Sequence, residues 1–358
     1  MTSLPEFYRG KKVLVTGHTG FKGSWLAIWL KLMGAEVSGF ALPSETQPNV
    51  FSAAEVANGI VSTFGDIRDL VSVRSAFVKQ TPDIVIHNAA QALVRRSYRE
   101  PVETYATNVM GTVHVLEAAR ATPSVRSVVV VTSDKCYENR EWERGYEETD
   151  AMGGHDPYSS SKGAAELVTA AYRRSFFEVD GAAAVATARA GNVIGGGDWS
   201  EDRLIPDIVR GISSDTPIRI RRPDAIRPWQ HVLEPLSGYL LLGQKLYQNR
   251  RQFADAWNFG PRMEDSITTA DLAERVRTIW GKGDLQIQTD PDAPHEATYL
   301  RLNCAKSSQH LGWRPRLRLA QTVEWTVDWY RAFYESSSPS PREITERQIR
   351  AYMEISAS

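Results

Sequence analysis

From Lys12 to Arg189, short β-branched runs alternate with longer segments of helical period, the pattern that βαβ units on a parallel sheet leave in a sequence. Lys12-Val13-Leu14-Val15-Thr16 leads into glycines and then into Ser24-Trp25-Leu26-Ala27-Ile28-Trp29-Leu30, which ends near Gly34. The pattern reads as strand, turn, helix. Further strands are predicted at 36–40, 60–64, 83–87, 127–132 and 183–188, and helices over 69–79, 102–121 and 158–177. Several strands are apolar on both faces, as they must be when helices cover both sides of a sheet. The expected fold is α/β, a doubly wound parallel sheet.

After Ala190 the rhythm breaks into a glycine cluster (Gly195-Gly196-Gly197), a helix near 205–213 and a basic strand over 218–222. Helices follow near 269–280, 305–311 and 320–334, then a Ser/Pro linker over 336–341 and a charged last helix. The division expected is a dinucleotide-binding domain over 1–190 with a return of 228–260, a smaller C-terminal α/β lobe over 191–335 for substrate, and a linker with helix over 336–358.

The composition, 42% hydrophobic and 24% charged over 358 residues, excludes disorder, collagen and coiled coil. Lys plus Arg at 42 against Asp plus Glu at 43 gives a net charge of −1, without the basic footprint of a nucleic-acid binder. No apolar run approaches the ~20 residues that span a bilayer, residues 1–10 lack a signal-peptide core, and two distant cysteines, Cys136 and Cys304, form neither a disulfide framework nor a zinc site. A cytoplasmic protein with no membrane, nucleic-acid or metal partner is expected.

Gly17-His18-Thr19-Gly20-Phe21-Lys22-Gly23 spaces glycines at i, i+3 and i+6 between the first strand and the first helix. A tight turn, close approach to a pyrophosphate and helix–strand packing each favour a residue without Cβ, and the helix N-terminus adds a positive dipole end. An acid for the adenosine ribose is expected about 20 residues on. The segment Phe40-Ala41-Leu42-Pro43-Ser44-Glu45 offers no clear one, so this position leaves NAD and NADP both open. Asp66, after the third strand, suits either an adenine contact or a helix cap. Tyr158-Ser159-Ser160-Ser161-Lys162 sets a phenol and an ammonium at i and i+4 on one helix face, where opposing charge lowers the phenol's pKa and readies it as a base.

With these motifs in order, the chain resembles the extended short-chain dehydrogenase/reductase family of nucleotide-sugar enzymes, the NAD-dependent epimerases and dehydratases, whose fold is of the Rossmann type. Asn88-Ala89-Ala90, Asn108, Thr132-Ser133, Asn192 and Arg227-Pro228-Trp229-Gln230-His231-Val232 also match. The likeness spans roughly residues 10 to 330. After Ser133 the 4-epimerases carry small or neutral residues and the 4,6-dehydratases an Asp-Glu pair; here Asp134-Lys135 follows. That pair, the glycine turn and Gly195-Gly196-Gly197-Asp198-Trp199 resemble the branch acting on CDP-glucose, in the deoxysugar biosynthesis that supplies lipopolysaccharide.

The resemblance implies catalytic Ser133, Asp134, Lys135, Tyr158 and Lys162. Asp134 would be the acid for the leaving 6-hydroxyl; Lys135 would be the C5 base, with a purely electrostatic role as the alternative. It implies NAD held by Gly17, Thr19, Gly20, Phe21, Lys22, Gly23, Asp66, Ile67, Ala89, Ala90, Asn108 and Thr132 together with Tyr158 and Lys162, and a nucleotide sugar held by Asn192, Arg203, Leu204, Arg227 and Tyr299. At most one of Arg219, Arg221 and Arg222 is expected to help. His18 and Lys22 replace small or apolar residues of the relatives, so looser cofactor binding is expected, as is a homodimer formed through the 102–121 and 158–177 helices. A UDP-sugar 4-epimerase or reductase, and a non-catalytic dinucleotide sensor, are the other readings.

Overall fold

The computed structural model describes residues 2–288, 299–335 and 339–355. Seven strands form one parallel sheet: β1 (Lys12–Thr16), β2 (Glu36–Ala41), β3 (Val61–Phe64), β4 (Ile84–His87), β5 (Ser127–Val131), β6 (Ala184–Ala190) and a seventh, Ala256–Phe259. Their spatial order is seventh, β6, β5, β4, β1, β2, β3. β1 pairs with β2 on one side and β4 on the other, so the chain reverses its direction of travel across the sheet there. Loops leaving the two strands diverge at that point and open a crevice at their carboxyl ends. β4, β5 and β6 are buried at every position, because helices cover both faces and leave no side of a strand in water.

The helix Phe21–Leu32 follows the glycine turn. The helix Pro157–Tyr172 starts where Asp156 caps it, accepting the Ser159 amide at 3.0 Å, with Pro157 in its first turn, a pairing that satisfies an orphan amide and pre-sets φ. The expected 102–121 helix is divided into Pro101–Tyr105, a π-helical turn Ala106–Met110 and Gly111–Arg120. The 305–311 helix is largely a π-helical turn, Ser307–Leu311. The basic strand closes at Ile220, three residues before Pro223, which disfavours helical backbone at Arg222 and supplies no N–H for a ladder.

The second lobe is made of short pairings, 193–194 with 230–231, 226–228 with 266–268 and 218–220 with 285–287, around the helices Leu204–Ser214 and Thr269–Trp280. The long helix Leu233–Asn249 and the seventh strand return to the main sheet. The last two helices, Leu319–Tyr334 and Pro341–Glu354, pack on the back of the glycine-turn helix, with Trp29 against Tyr352 at 5.5 Å. The Ser336-Ser337-Ser338 part of the expected linker lies outside the described residues.

Candidate active site

Gly17, at φ +76°, ends β1 in a conformation an L side chain rarely adopts, and a Cβ there would come within 2.8 Å of the Ala89 backbone. At Gly23 a Cβ would meet the Gly17 carbonyl at 2.0 Å. The turn is therefore closed from within by two glycines. Gly20 differs: a Cβ there would touch nothing nearer than 3.5 Å, so no protein atom demands a glycine. No side chain caps the Phe21–Leu32 helix, whose leading amides point into that open side. A cradle of free amides with space above it fits a dinucleotide pyrophosphate.

Thr19 donates to the Leu42 carbonyl at 2.8 Å and ties the turn to the loop after β2. Phe21 rests near Gly195 at the mouth. Asp66 accepts the Arg68 amide and side chain, both at 2.8 Å, and the Arg68 side chain holds its pKa below the ordinary value. The Ile67 side chain is buried against Gly111, and its carbonyl lies 2.9 Å from His114 Nδ1. Ala89 and Ala90 line the loop after β4 and are half-buried. Asn108 is buried, with its amide committed: it accepts the Gln91 N–H at 2.9 Å and donates to the Gln91 carbonyl and Ser161. Its influence on the crevice runs through the loop it clamps. The Thr132 hydroxyl likewise donates to Glu166 at 2.5 Å.

His18 and Lys22 separate. The His18 ring lies over Gly39, where a Cβ would be 2.2 Å away, and its Nε2 is 2.7 Å from the Ser62 hydroxyl, so it packs beneath the turn. Burial lowers its pKa to about 4. Lys22 faces the other way: its ammonium stands 5.9 Å from the centre of the Tyr239 ring and feels Arg203, Lys162, Asp134 and Asp198, with burial the main reason its pKa drops to about 7. Its ammonium reaches the catalytic side of the crevice.

At the carboxyl end of β5, Ser133 begins a short turn, Asp134–Cys136. The Ser133 hydroxyl donates to Asp134 Oδ1 at 3.0 Å and accepts the Lys135 amide at 3.2 Å, and it shares a hydrogen bond with the Tyr158 phenol. Asp134 is buried, which raises its pKa against the pull of Lys135, Ser133, Arg227 and Lys22. Gly191 makes room for it: a Cβ there would come within 2.8 Å of Asp134 Oδ2. Lys135 is half-buried beside it.

Tyr158 and Lys162 share the inner face of their helix and are both buried. Burial pushes the phenol up to about 12, opposed by Ser133 and Arg203. The charge expected to lower it was Lys162; the larger lowering influences come from Ser133 and Arg203. Lys162 itself is lowered to about 8 by burial, against Glu166 and Cys136.

Among the substrate residues, Arg203 Nη1 donates to Asp198 at 2.9 Å and its charge reaches Tyr158, so it closes over the catalytic phenol at the start of the helix whose first residue is Leu204. Arg227, in the strand Ile226–Pro228, faces Asp134. Asn192 is half-buried, its carbonyl accepting the Gln230 amide. The Tyr299 carbonyl accepts from Asn139 at 3.1 Å and its ring lies under Arg301, while His295 to Thr298 lie outside the described residues. Of the three basic-strand arginines, Arg219 is exposed and Arg221 is held by Asp202 and Asp207 at 2.6 and 2.7 Å. Sequence reasoning missed Gly191, Asp198, Glu166 and Arg189. Asp198 stood in the Gly195–Trp199 motif without a role assigned to it, and Glu166 carried a signal four residues beyond Lys162 on the same helix face.

The family model of GDP-mannose 4,6 dehydratase matches residues 14–326. A CDP-glucose 4,6-dehydratase of Salmonella typhimurium is 50% identical over 349 residues, covering 95% of this chain and 97% of the relative. Among solved structures, the UDP-glucose 4-epimerase of Thermus thermophilus in complex with NAD superposes with a TM-score of 0.77 at 25% identity, over 89% of this chain and 98% of that one. A dTDP-glucose 4,6-dehydratase of Bacillus anthracis in complex with NAD gives 0.76 at 22% identity, over 90% and 97%, a likeness of fold. With a parallel sheet open at its switch point, a glycine cradle, and Ser133, Tyr158 and Lys162 gathered at the end of β5, the chain belongs to the GDP-mannose 4,6 dehydratase family of nucleotide-sugar enzymes.

Proposed function

We propose that the protein converts CDP-glucose to CDP-4-dehydro-6-deoxyglucose, by oxidation at C4, loss of water across C5–C6 and return of hydride to C6. The observation that carries this reading is Asp134, a buried carboxyl hydrogen-bonded to the same serine that meets the Tyr158 phenol. Epimerases and reductases of this fold require the serine, tyrosine and lysine; elimination additionally requires an acid for the departing hydroxyl. The half-identical relative named for this reaction supports it, and the choice of cytidine as the base rests on that likeness.

NAD supplies the hydride acceptor and donor when bound. The Gly17–Gly23 turn would hold its pyrophosphate, and Asp66 with the backbone of Ile67 and Ala89 its adenosine. Tyr158 takes the proton of the 4-hydroxyl while Ser133 hydrogen-bonds the same oxygen. Ser133 and Arg203 pull the phenol toward phenolate against the burial that raises it, and Lys162 lies one turn below on the same helix face. Asp134, whose pKa burial raises, is the acid that gives its proton to the 6-hydroxyl, and Lys135 takes the proton from C5, which the 4-carbonyl has acidified. Arg203 and Arg227 suit the pyrophosphate of the sugar nucleotide, since a guanidinium bonds phosphate bidentately.

Incubation with CDP-glucose and NAD should produce the alkaline absorbance of a 4-ketosugar. No ketosugar from CDP-glucose, with epimer formed from UDP-glucose, would replace this reading by the epimerase one. The free thiols Cys136 and Cys304 suit a reducing cytoplasm. The exposed side chains of Val102, Met110, Leu167 and Phe176, the first 82% accessible, lie on the helices around the catalytic face and suit a second copy of the chain across a two-fold axis.

A further inference from the structure

Behind the catalytic residues lies a buried ion pair that the reaction as derived above does not use. Glu166 and Arg189 meet at 2.8 Å with side chains 5% and 4% exposed. Glu166 Oε1 accepts the Thr132 hydroxyl, and Oε2 accepts the Thr187 hydroxyl at 2.7 Å together with Arg189 Nη2. Arg189 Nη1 donates to the Tyr137 hydroxyl at 2.7 Å, which donates to Asn258 at 2.8 Å. Thr132 and Tyr137 are the residues on either side of the Ser133-Asp134-Lys135-Cys136 segment. The pair thus fastens both ends of the catalytic turn, one through the carboxylate and one through the guanidinium, to β6 and to the helix that carries Tyr158 and Lys162.

Tyr158, Lys162 and Glu166 recur at i, i+4 and i+8, so they stand above one another on one helix face. The titratable groups facing Lys162 from neighbouring elements are Cys136 of the catalytic turn, His87 at the end of β4 and Lys22 of the glycine turn. Burial raises the Cys136 thiol and lowers His87 to about 3, so both are uncharged, and Lys22 repels. Glu166 is the carboxylate that acts on Lys162.

Resting on the dehydratase reading, we propose that Glu166 and Arg189 are positioning residues: they fix both ends of the 132–137 segment, and Glu166 is the countercharge that keeps Lys162 an ammonium during proton removal by Tyr158. A bare structural pair would affect folding and rate only. A countercharge also sets the pH at which Lys162 loses its proton and, with it, the alkaline limb of activity.

The test compares pH–rate profiles for ketosugar formation, with wild-type turnover of CDP-glucose as the check on the reading beneath. Without it, the dehydratase assignment fails and this proposal is judged by the lysine titration alone, read by NMR of labelled Lys162. Glu166→Gln keeps an oxygen for Thr132 and removes the charge; its alkaline limb, and the Lys162 titration, should move down by about one pH unit or more. Thr187→Val, which takes one hydroxyl from the carboxylate and leaves its charge, should lower the rate without moving the limb. Because Glu166→Gln strands a buried guanidinium and threatens folding, the neutral pair Glu166→Gln/Arg189→Gln should show the same shift. An unmoved limb and titration in the folded variants, or an equal shift in Thr187→Val, overturns the proposal.

Discussion

Glu234 offers a stability measurement whose size follows from the structure. It stands in the first turn of the Leu233–Asn249 helix, 1% exposed. One carboxylate oxygen accepts the amides of Arg316 and Leu317 at 2.8 and 2.6 Å, and the other accepts the Tyr352 hydroxyl at 2.7 Å. The carboxyl therefore joins the return helix to the last helix of the chain. Burial raises its pKa from 4.5 to about 7 despite those donors. The folded state then holds a proton that the unfolded state releases, so stability is fully present below about pH 4.5 and declines as pH rises through about 7. A gap of about 2.5 units at 1.36 kcal/mol each limits the loss to about 3 kcal/mol, of which about 2.5 falls between pH 5 and 8. Glu234→Gln keeps the shape and cannot titrate. Urea unfolding at pH 5 and pH 8 should show wild type losing about 2 to 3 kcal/mol more than the variant. Parallel losses would mean that the carboxyl ionises in the folded protein as it does in water, and the reasoning from burial would fail.

Tyr158→Phe should abolish C4 oxidation, whereas Asp134→Asn should retain it and lose elimination by ~10²–10⁴; nicotinamide absorbance early in the reaction separates them, and equal loss of oxidation would refute the division. Lys135→Ala should stop deuterium uptake at C5 from heavy water, and wild-type exchange would remove Lys135 as the base. Gly191→Ala places a methyl within 2.8 Å of Asp134 and should slow elimination more than oxidation; an unchanged ratio of the two would show that the carboxyl has freedom to move. Because His18 and Lys22 stand in the glycine turn and no clear acid follows β2 near Ala41, the purified protein should be partly free of cofactor and gain activity on adding NAD, and full activity without addition would contradict this. Sedimentation at micromolar concentration should show a dimer that Val102→Lys/Leu167→Lys weakens; a wild-type monomer would refute it.

Where local chemistry decides structure, the sequence was readable. β1, the glycine turn and its helix follow from period and from the absence of Cβ, and the catalytic helix from Asp156-Pro157 followed by apolar spacing. The helix Leu233–Asn249 and the strand Ala256–Phe259 carried no comparable signal, because both are buried on nearly every side and lack the polar face that periodicity detects. The π-helical turn at Ala106–Met110 escaped for another reason: five residues there read as ordinary helix, and the tertiary clamp of Asn108 on Gln91 and Ser161 is non-local.

The arginines show the same limit. The resemblance marks Arg203 and Arg227 as substrate ligands and leaves room for at most one of Arg219, Arg221 and Arg222, and only the fold commits Arg221 to Asp202 and Asp207 while placing Arg203 against Asp198 and Tyr158. What the sequence did display was a contradiction between rules. A helix whose inner face reads Tyr158, Ser161, Lys162, Ala165, Glu166 and Thr169, all buried, sets a lysine and a glutamate where apolar side chains give stability. Each buried charge costs several kcal/mol unless it is paired, and Arg189 supplies the partner from β6. Local rules are broken where function compels it, and here the breach sits one turn below the catalytic tyrosine, so an ionisable pair at i+4 and i+8 on a buried face is a sequence-level pointer to the site, independent of the glycine turn.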